Sequence, residues 1–268
     1  MQFAVSIKTP EVQGEAPLAL FSGTFEERLR KAAAQGYRGV ELIVSDPTQL
    51  DARMLVSQME AAGLKPAAVA TGFIAGSRGL TLVSSDADVH AGATKVLTEL
   101  VRFAAQVGCS VVTIGGFRGK AAFVGSLEQA KQQLHEALSA ADPLACELGI
   151  VIALEPLRSG ESDLLNNARE VCEFIDAGGY KAVGLLLDIY HTVEEPDPLN
   201  AFRLYRGRLT HVHLADTGRK ALGQGSEDFL TLEQVLQEIG YNGWQSVELP
   251  RAEDPDGNGQ LPPYLAVL

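Results

Sequence analysis

The chain has 268 residues, 46% of them apolar, with 22 basic and 34 acidic side chains and a formal net charge of −12. That acidic balance repels a phosphate backbone and excludes nucleic acid as the expected partner. No apolar run approaches the roughly 20 residues that span a bilayer, and the opening MQFAVSIKTP lacks a basic-then-apolar leader pattern, so a cytoplasmic protein with no membrane partner is expected.

Short apolar runs alternate with longer amphipathic ones. In chain order the runs predict strands over residues 3–7, 39–44, 65–71, 110–115, 150–155, 183–188, 209–215 and 245–249. Helical patterns fall between them at 25–35, 52–62, 89–107, 127–147, 167–177, 198–206 and 232–239. Gly36, Gly63, Gly108, Gly149 and Gly240 follow helical patterns and lead into strands, as helix-ending glycines do. Strands apolar almost throughout are covered on both faces, which is the habit of parallel sheets. Eight βα-like units of about 30 residues predict a (β/α)₈ TIM barrel, with residues 1–268 as one domain and no linker to divide them. A doubly wound open sheet is less supported, since no G-x-G-x-x-G follows an early strand. Pro255, Gly257, Gly259, Pro262 and Pro263 forbid a long helix after the eighth strand. The closing helix is therefore expected to be short or missing, leaving a flank that a second copy of the chain covers. The three cysteines, Cys109, Cys146 and Cys172, form no C-x-x-C pair and are expected to be buried, reduced thiols.

Barrels of this type carry their chemistry at the C-terminal ends of the strands. Four consecutive predicted strands end in "ALEPL", "LLLDIYH", "HVHLAD" and "SVELP", which supply Glu155, Asp188, His213 and Glu248. Each residue alone has an ordinary reading as a solvated acid or a hydrogen-bonded core histidine. Together they differ, because unpaired buried carboxylates are costly and no basic residue lies in those runs to neutralise them. One divalent cation would, and this donor set suits Mn²⁺, Mg²⁺, Co²⁺ or Zn²⁺. His211 shares a strand face with His213; the latter is nearer the strand end and is taken as the ligand, with His211 in the barrel interior. Glu155 and Glu248 stand three strands apart, so one could remove a proton beside a carbonyl and the other return it. The expected substrate is a small keto sugar or keto sugar acid.

These motifs resemble the xylose-isomerase-like barrel superfamily over nearly the whole chain, and within it D-tagatose 3-epimerase-type enzymes. The resemblance implies a metal held by Glu155, Asp188, His213 and Glu248, with Glu155 and Glu248 as the acid/base pair of an isomerase or epimerase. It also implies substrate contacts from Glu161, His191 and Arg219, which stand six, three and six residues after Glu155, Asp188 and His213. "VSIKTPEV", "YRGVELIVSDP", "ATGFIAGSRGLTLVSSD" and "VTIGGFRGK" are similar to the 5-keto-L-gluconate epimerase group, which makes Arg118 the expected partner of a substrate carboxylate. Gly72, Phe73 and Arg78 are expected to shape the pocket. A homodimer or tetramer is expected by the same likeness. Two departures stand near the substrate end: Arg158-Ser159-Gly160 replaces the family's Asn-Arg-x, and Ser226 in "GQGSEDF" replaces its usual histidine. A dehydratase of an inosose or dehydroshikimate-like substrate would use the same metal, and a non-catalytic sugar-binding protein would not need both acids. The endonuclease branch needs further histidines, and none precedes His90. No Lys ends any of the last four strands, which disfavours a Schiff-base aldolase.

Overall fold

Runs such as Val111–Ile114 and Val151–Leu154 offer almost no polar face, so they are stable only with both faces covered. The computed structural model describes residues 2–251 and 261–262, and there these runs are strands of a closed parallel barrel. The strands are β1 (Gln2–Lys8), β2 (Gly39–Ile43), β3 (Lys65–Ala70), β4 (Val111–Ile114), β5 (Val151–Leu154), β6 (Val183–Asp188), β7 (Leu209–Leu214) and β8 (Trp244–Val247). They pair in sequence order, and β8 closes onto β1. Around them lie α1 (Phe25–Ala34), α2 (Ala52–Ala61), α3 (Ile74–Arg78), α4 (Ala87–Val107), α5 (Leu127–Leu148), α6 (Ala168–Gly178), α7 (Ile189–Thr192), α8 (Pro198–Leu204) and α9 (Phe229–Glu238).

Helix ends follow local chemistry. Thr24 and Glu27 form a reciprocal capping box at the start of α1, while Asp86, Ser126 and Asn167 accept first-turn backbone N–H groups of α4, α5 and α6. Gly108 and Gly149 end α4 and α5 at φ of 75° and 68°, a left-handed conformation that L side chains enter at a cost. The expected α9 began at residue 232. It starts at Phe229 because Asp228 accepts from the backbone N–H of Thr231. The four-residue α7 and five-residue α3 are too short to show a period.

One expectation is corrected. Cys109 and Cys172 are buried free thiols, but Cys146 is exposed. Helix α5 buries Ala137, Leu138, Ala141 and Ala145, and one step of about 100° from Ala145 carries Cys146 round to solvent. The expected absence of a long closing helix falls mostly on residues 252–260 and 263–268, which lie outside the described residues. Among the described residues, no helix is long and apolar enough to cross a membrane.

Alternation along the strands builds the barrel interior in steps. Ala68, Val111, Ala153 and Leu186 form one apolar interior cluster. Two residues further along β5, β6, β7 and β8, the same faces present Glu155 after Ala153, Asp188 after Leu186, His213 after His211 and Glu248 after Ser246. Register completes the convergence, with Asp188 opposite His213 and His213 opposite Ser246. Two register shifts, between Val40 and Glu41 and between Leu185 and Leu186, fall beside Glu41 and His211, the interior polar residues of β2 and β7.

Candidate metal centre and active site

Glu155 and Glu248 sit one residue beyond β5 and β8, where Glu155 N–H still donates to the Ile114 carbonyl and Glu248 N–H to that of Leu214. The barrel ladder therefore fixes both backbones. Glu155, Asp188, His213 and Glu248 are all buried, at 6%, 0%, 1% and 8% exposure. The His213 Nδ1 atom lies 3.4 Å from Glu155 Oε1 and 3.3 Å from Glu248 Oε2. His191 Nε2 is 3.9 Å from Glu155 Oε1 and 3.8 Å from Asp188 Oδ2. Two overlapping donor groups result, Asp188–His213–Glu248 and Glu155–Asp188–His191, each with atoms within 4.8 Å of one another.

The chemistry of these donors fits a cation. Glu155 Oε1, Asp188 Oδ2 and His213 Nδ1 are buried and have no hydrogen-bond partner. Buried polar atoms without partners cost free energy, and three of them meeting at one place is the arrangement a divalent ion would satisfy. Burial raises the Asp188 carboxyl above the usual range against the pull of Arg219 and His213, and the charge on Glu248 adds to the rise. Burial acts on Glu248 in the same sense, but His213 and Arg219 outweigh it and hold its carboxyl low. Burial opposes a charged His213, yet Glu248 and Glu41 hold its imidazole well above the ordinary range.

Arg219 comes from the loop after β7, at φ of 57° and so strained for a residue other than glycine. Its guanidinium is 3.4 Å from Asp188 Oδ2, 3.5 Å from Glu248 Oε2 and 3.2 Å from His191 Nε2. Asp216 pins that loop by accepting from the backbone N–H groups of Thr217, Gly223, Gly225 and Glu227. Burial would raise the Asp216 carboxyl, but these N–H groups together hold it below the usual range. Asp216→Ala is expected to cost about 2–3 kcal/mol in a urea melt and to raise KM as Arg219 loses its mount.

Of the residues expected to meet substrate, His191 and Arg219 join the cluster and Glu161 does not. Glu161 is exposed, 3.9 Å from Arg158 Nε. Arg118 is the clearest departure from expectation. Its side chain is fully buried and donates to the Glu155 and Leu165 carbonyls. A guanidinium committed to the main chain behind Glu155 is not presented to a substrate carboxylate. Of the pocket residues, Gly72 and Phe73 line a cleft of about 90 Å³ with Ile43, Ala70, Pro17 and Glu248. Arg78 lies instead toward Asp46, at 3.8 Å, and donates to the Ser45 carbonyl. Ser226 shares a 2.8 Å hydroxyl contact with Thr217.

Three features escaped the sequence reading. Glu41, in the middle of β2, contacts both histidines; an acid inside "GVELIV" was the available signal. The guanidinium carbons of Arg158 and Arg219 lie 3.7 and 4.3 Å from the centre of the Tyr190 ring, so the Arg158 departure is an aromatic-stacked residue beside the site. Gly115, just past β4, has a steric reason to lack a side chain: a Cβ there would stand 2.5 Å from Glu155 Oε2. Gly115→Ala is expected to displace that carboxylate and lower turnover about 10²-fold with the fold retained. Steady-state kinetics beside a thermal melt checks this.

A closed (β/α)₈ barrel with buried carboxylates and an imidazole at its C-terminal strand ends is the class that this fold and site define. Within that class the chain belongs to the xylose isomerase-like TIM barrel family, whose pattern it matches over residues 29–264. A probable ketose 3-epimerase of Synechocystis sp. is 26% identical over 241 residues, covering 88% of this chain and 82% of that protein. An L-ribulose 3-epimerase of Mesorhizobium japonicum is 28% identical over 236 residues, 87% of this chain and 78% of the other. The crystal structure of 3-keto-D-glucoside 4-epimerase from E. coli shares the fold, with a TM-score of 0.79 at 21% identity over 95% of each chain.

Proposed function

We propose that the chain is a divalent-metal-dependent epimerase of a small ketose. The observation that carries this reading is the meeting of three buried atoms without a hydrogen bond, from Glu155, Asp188 and His213, beside a further carboxylate, Glu248. The relatives matched over most of their length, a probable ketose 3-epimerase and an L-ribulose 3-epimerase, support it. Glu155, Asp188, His213 and Glu248 would hold one Mn²⁺, Mg²⁺, Co²⁺ or Zn²⁺ ion, which would supply the positive charge that stabilises a developing enediolate. One of Glu155 and Glu248, as the free carboxylate, removes the proton beside the ketone; the C–H electron pair becomes a C=C bond and the carbonyl π pair moves onto the oxygen. The other acid, which enters the turn protonated, gives its proton to the opposite face of the same carbon as the ketone reforms, so the two acids exchange protonation states and solvent protons reset them before the next turn. Arg219 and His191 present their donors beside both acids, where they would hold the substrate oxygens.

A keto sugar acid, such as 5-keto-L-gluconate, is the finer alternative, and the buried position of Arg118 leaves it without its expected partner. The reading takes the chain as one cytoplasmic domain assembled as a homodimer or tetramer, which light scattering at several concentrations checks. The central experiment incubates Mn²⁺-loaded protein in deuterated water with D-tagatose, D-fructose, 5-keto-L-gluconate and hydroxypyruvate, followed by NMR. Deuterium beside the carbonyl with an epimer accumulating supports the proposal, and the preferred substrate ranks ketose against acid. A conjugated, ultraviolet-absorbing product would favour the dehydratase, and no exchange at all would favour a non-catalytic binder.

A further inference from the structure

Glu41 has no part in the proton transfers, yet it is among the most enclosed charged groups of the molecule. It comes from the middle of β2, has 0% exposure and faces the barrel axis. A carboxylate in so dry a place is costly unless its oxygens are occupied, and here they are. Thr113 donates its hydroxyl to Glu41 Oε1 at 3.0 Å. His211 Nε2 lies 3.1 Å from Oε2 and 2.9 Å from the Ser246 hydroxyl. His213 Nε2 lies 3.2 Å from both carboxylate oxygens.

The last contact decides the chemistry of His213. To serve as a metal ligand His213 must be the neutral imidazole, which carries one N–H, and the ring nitrogen facing the Glu41 carboxylate is the one that carries it. Nε2 faces Glu41, so the lone pair is left on Nδ1. Nδ1 is the atom that lies 3.3–3.4 Å from Glu248 and Glu155 without a hydrogen-bond partner. The His211 ring, edge-on to that of His213 at 5.2 Å and 89°, packs against it and limits its rotation.

We infer that Glu41 is a positioning residue for the metal centre: it accepts the hydrogen bond from His213 Nε2–H, fixes the ring, and so presents the Nδ1 lone pair to the cation. A carboxylate behind a metal-bound imidazole also makes the ring more basic and a better ligand. Hydrogen bonding alone would be met by a neutral amide, which would avoid burying a charge. The acid at position 41 is therefore accounted for by its effect on His213. The inference rests on the reading of Glu155, Asp188, His213 and Glu248 as a metal site.

The test is the Mn²⁺ affinity of the full-length Glu41→Gln protein without substrate, by calorimetry and by loss of the free-ion EPR signal. Gln keeps the volume and an acceptor oxygen but removes the charge. Affinity is expected to fall about 10- to 100-fold, while the thermal melt of the metal-free protein changes little. Wild-type affinity in a folded variant overturns the inference and leaves the metal site standing. If wild-type protein itself binds no Mn²⁺, the site reading fails and the inference with it. Should Glu41→Gln not fold, ¹⁵N NMR of the wild-type protein, zinc-loaded, decides the matter. Nε2 protonated with Nδ1 ligated is expected, and the reverse assignment overturns the inference.

Discussion

Glu248→Gln is expected to lower both deuterium exchange and epimerisation by about 10²–10⁴-fold, the range that a positioned acid/base group contributes. Gln keeps an oxygen at the ligand position, so the fold and part of the cation affinity survive, but it cannot take or return a proton. Exchange separates the two half-reactions. If Glu248 is the base toward one epimer, that fall in exchange appears with that epimer, whereas Glu155→Gln lowers exchange from the other and both variants lose epimerisation. NMR of each variant with each epimer in deuterated water reads both directions. Wild-type exchange from both epimers in folded, metal-loaded Glu248→Gln would remove the carboxylate from the chemistry. Arg219, 3.5 Å from Glu248 Oε2, helps hold that carboxyl charged and ready to accept a proton. Arg219→Lys is therefore a poor substitute, since an ammonium offers no planar fork to reach Asp188, Glu248 and His191 together.

The barrel was legible because two independent signals agreed: apolar runs of strand length, and glycines closing the helices before them. The four residues at successive strand ends were legible for the same reason, since each acid or histidine interrupts an apolar run where such barrels keep their chemistry. What the sequence hid is what depends on third partners. Glu41 also interrupts an apolar run, but from mid-strand, and its meaning appears only when β2 and β7 face each other across the barrel interior. Arg118 follows β4 as a substrate-binding arginine would, yet the chain turns it inward beneath Glu155. Spacing gives the place of a side chain, and the direction it takes depends on the loop backbone. Asp216 lies in a recognised motif, but its four N–H partners are spread over residues 217–227 and leave no local pattern.

Metal addition is expected to act on the whole fold as well as on turnover. Chelator-treated protein keeps Glu155 Oε1, Asp188 Oδ2 and His213 Nδ1 buried without hydrogen bonds, Asp188 having only the Arg219 charge 3.4 Å away, a standing cost that a bound cation would reduce. An ion that binds the folded chain and not the unfolded one stabilises it by about 2.7 kcal/mol at a hundredfold excess over Kd. For a chain of this size that corresponds to a rise in Tm of roughly 5–10 °C. Thermal melts of the stripped protein titrated with Mn²⁺, Mg²⁺, Co²⁺ and Zn²⁺ would rank the ions without any substrate, and exchange assays on the same samples would show whether the tightest ion is also the most active. Every donor must be deprotonated to bind, so the rise in Tm shrinks as pH falls. Asp188→Asn should abolish the rise while leaving the stripped protein as stable as wild type or more so, because Asp188 is buried where burial and Glu248 disfavour its charge. A Tm unmoved by all four ions at neutral pH would dismiss the metal centre and return these carboxylates to a structural role.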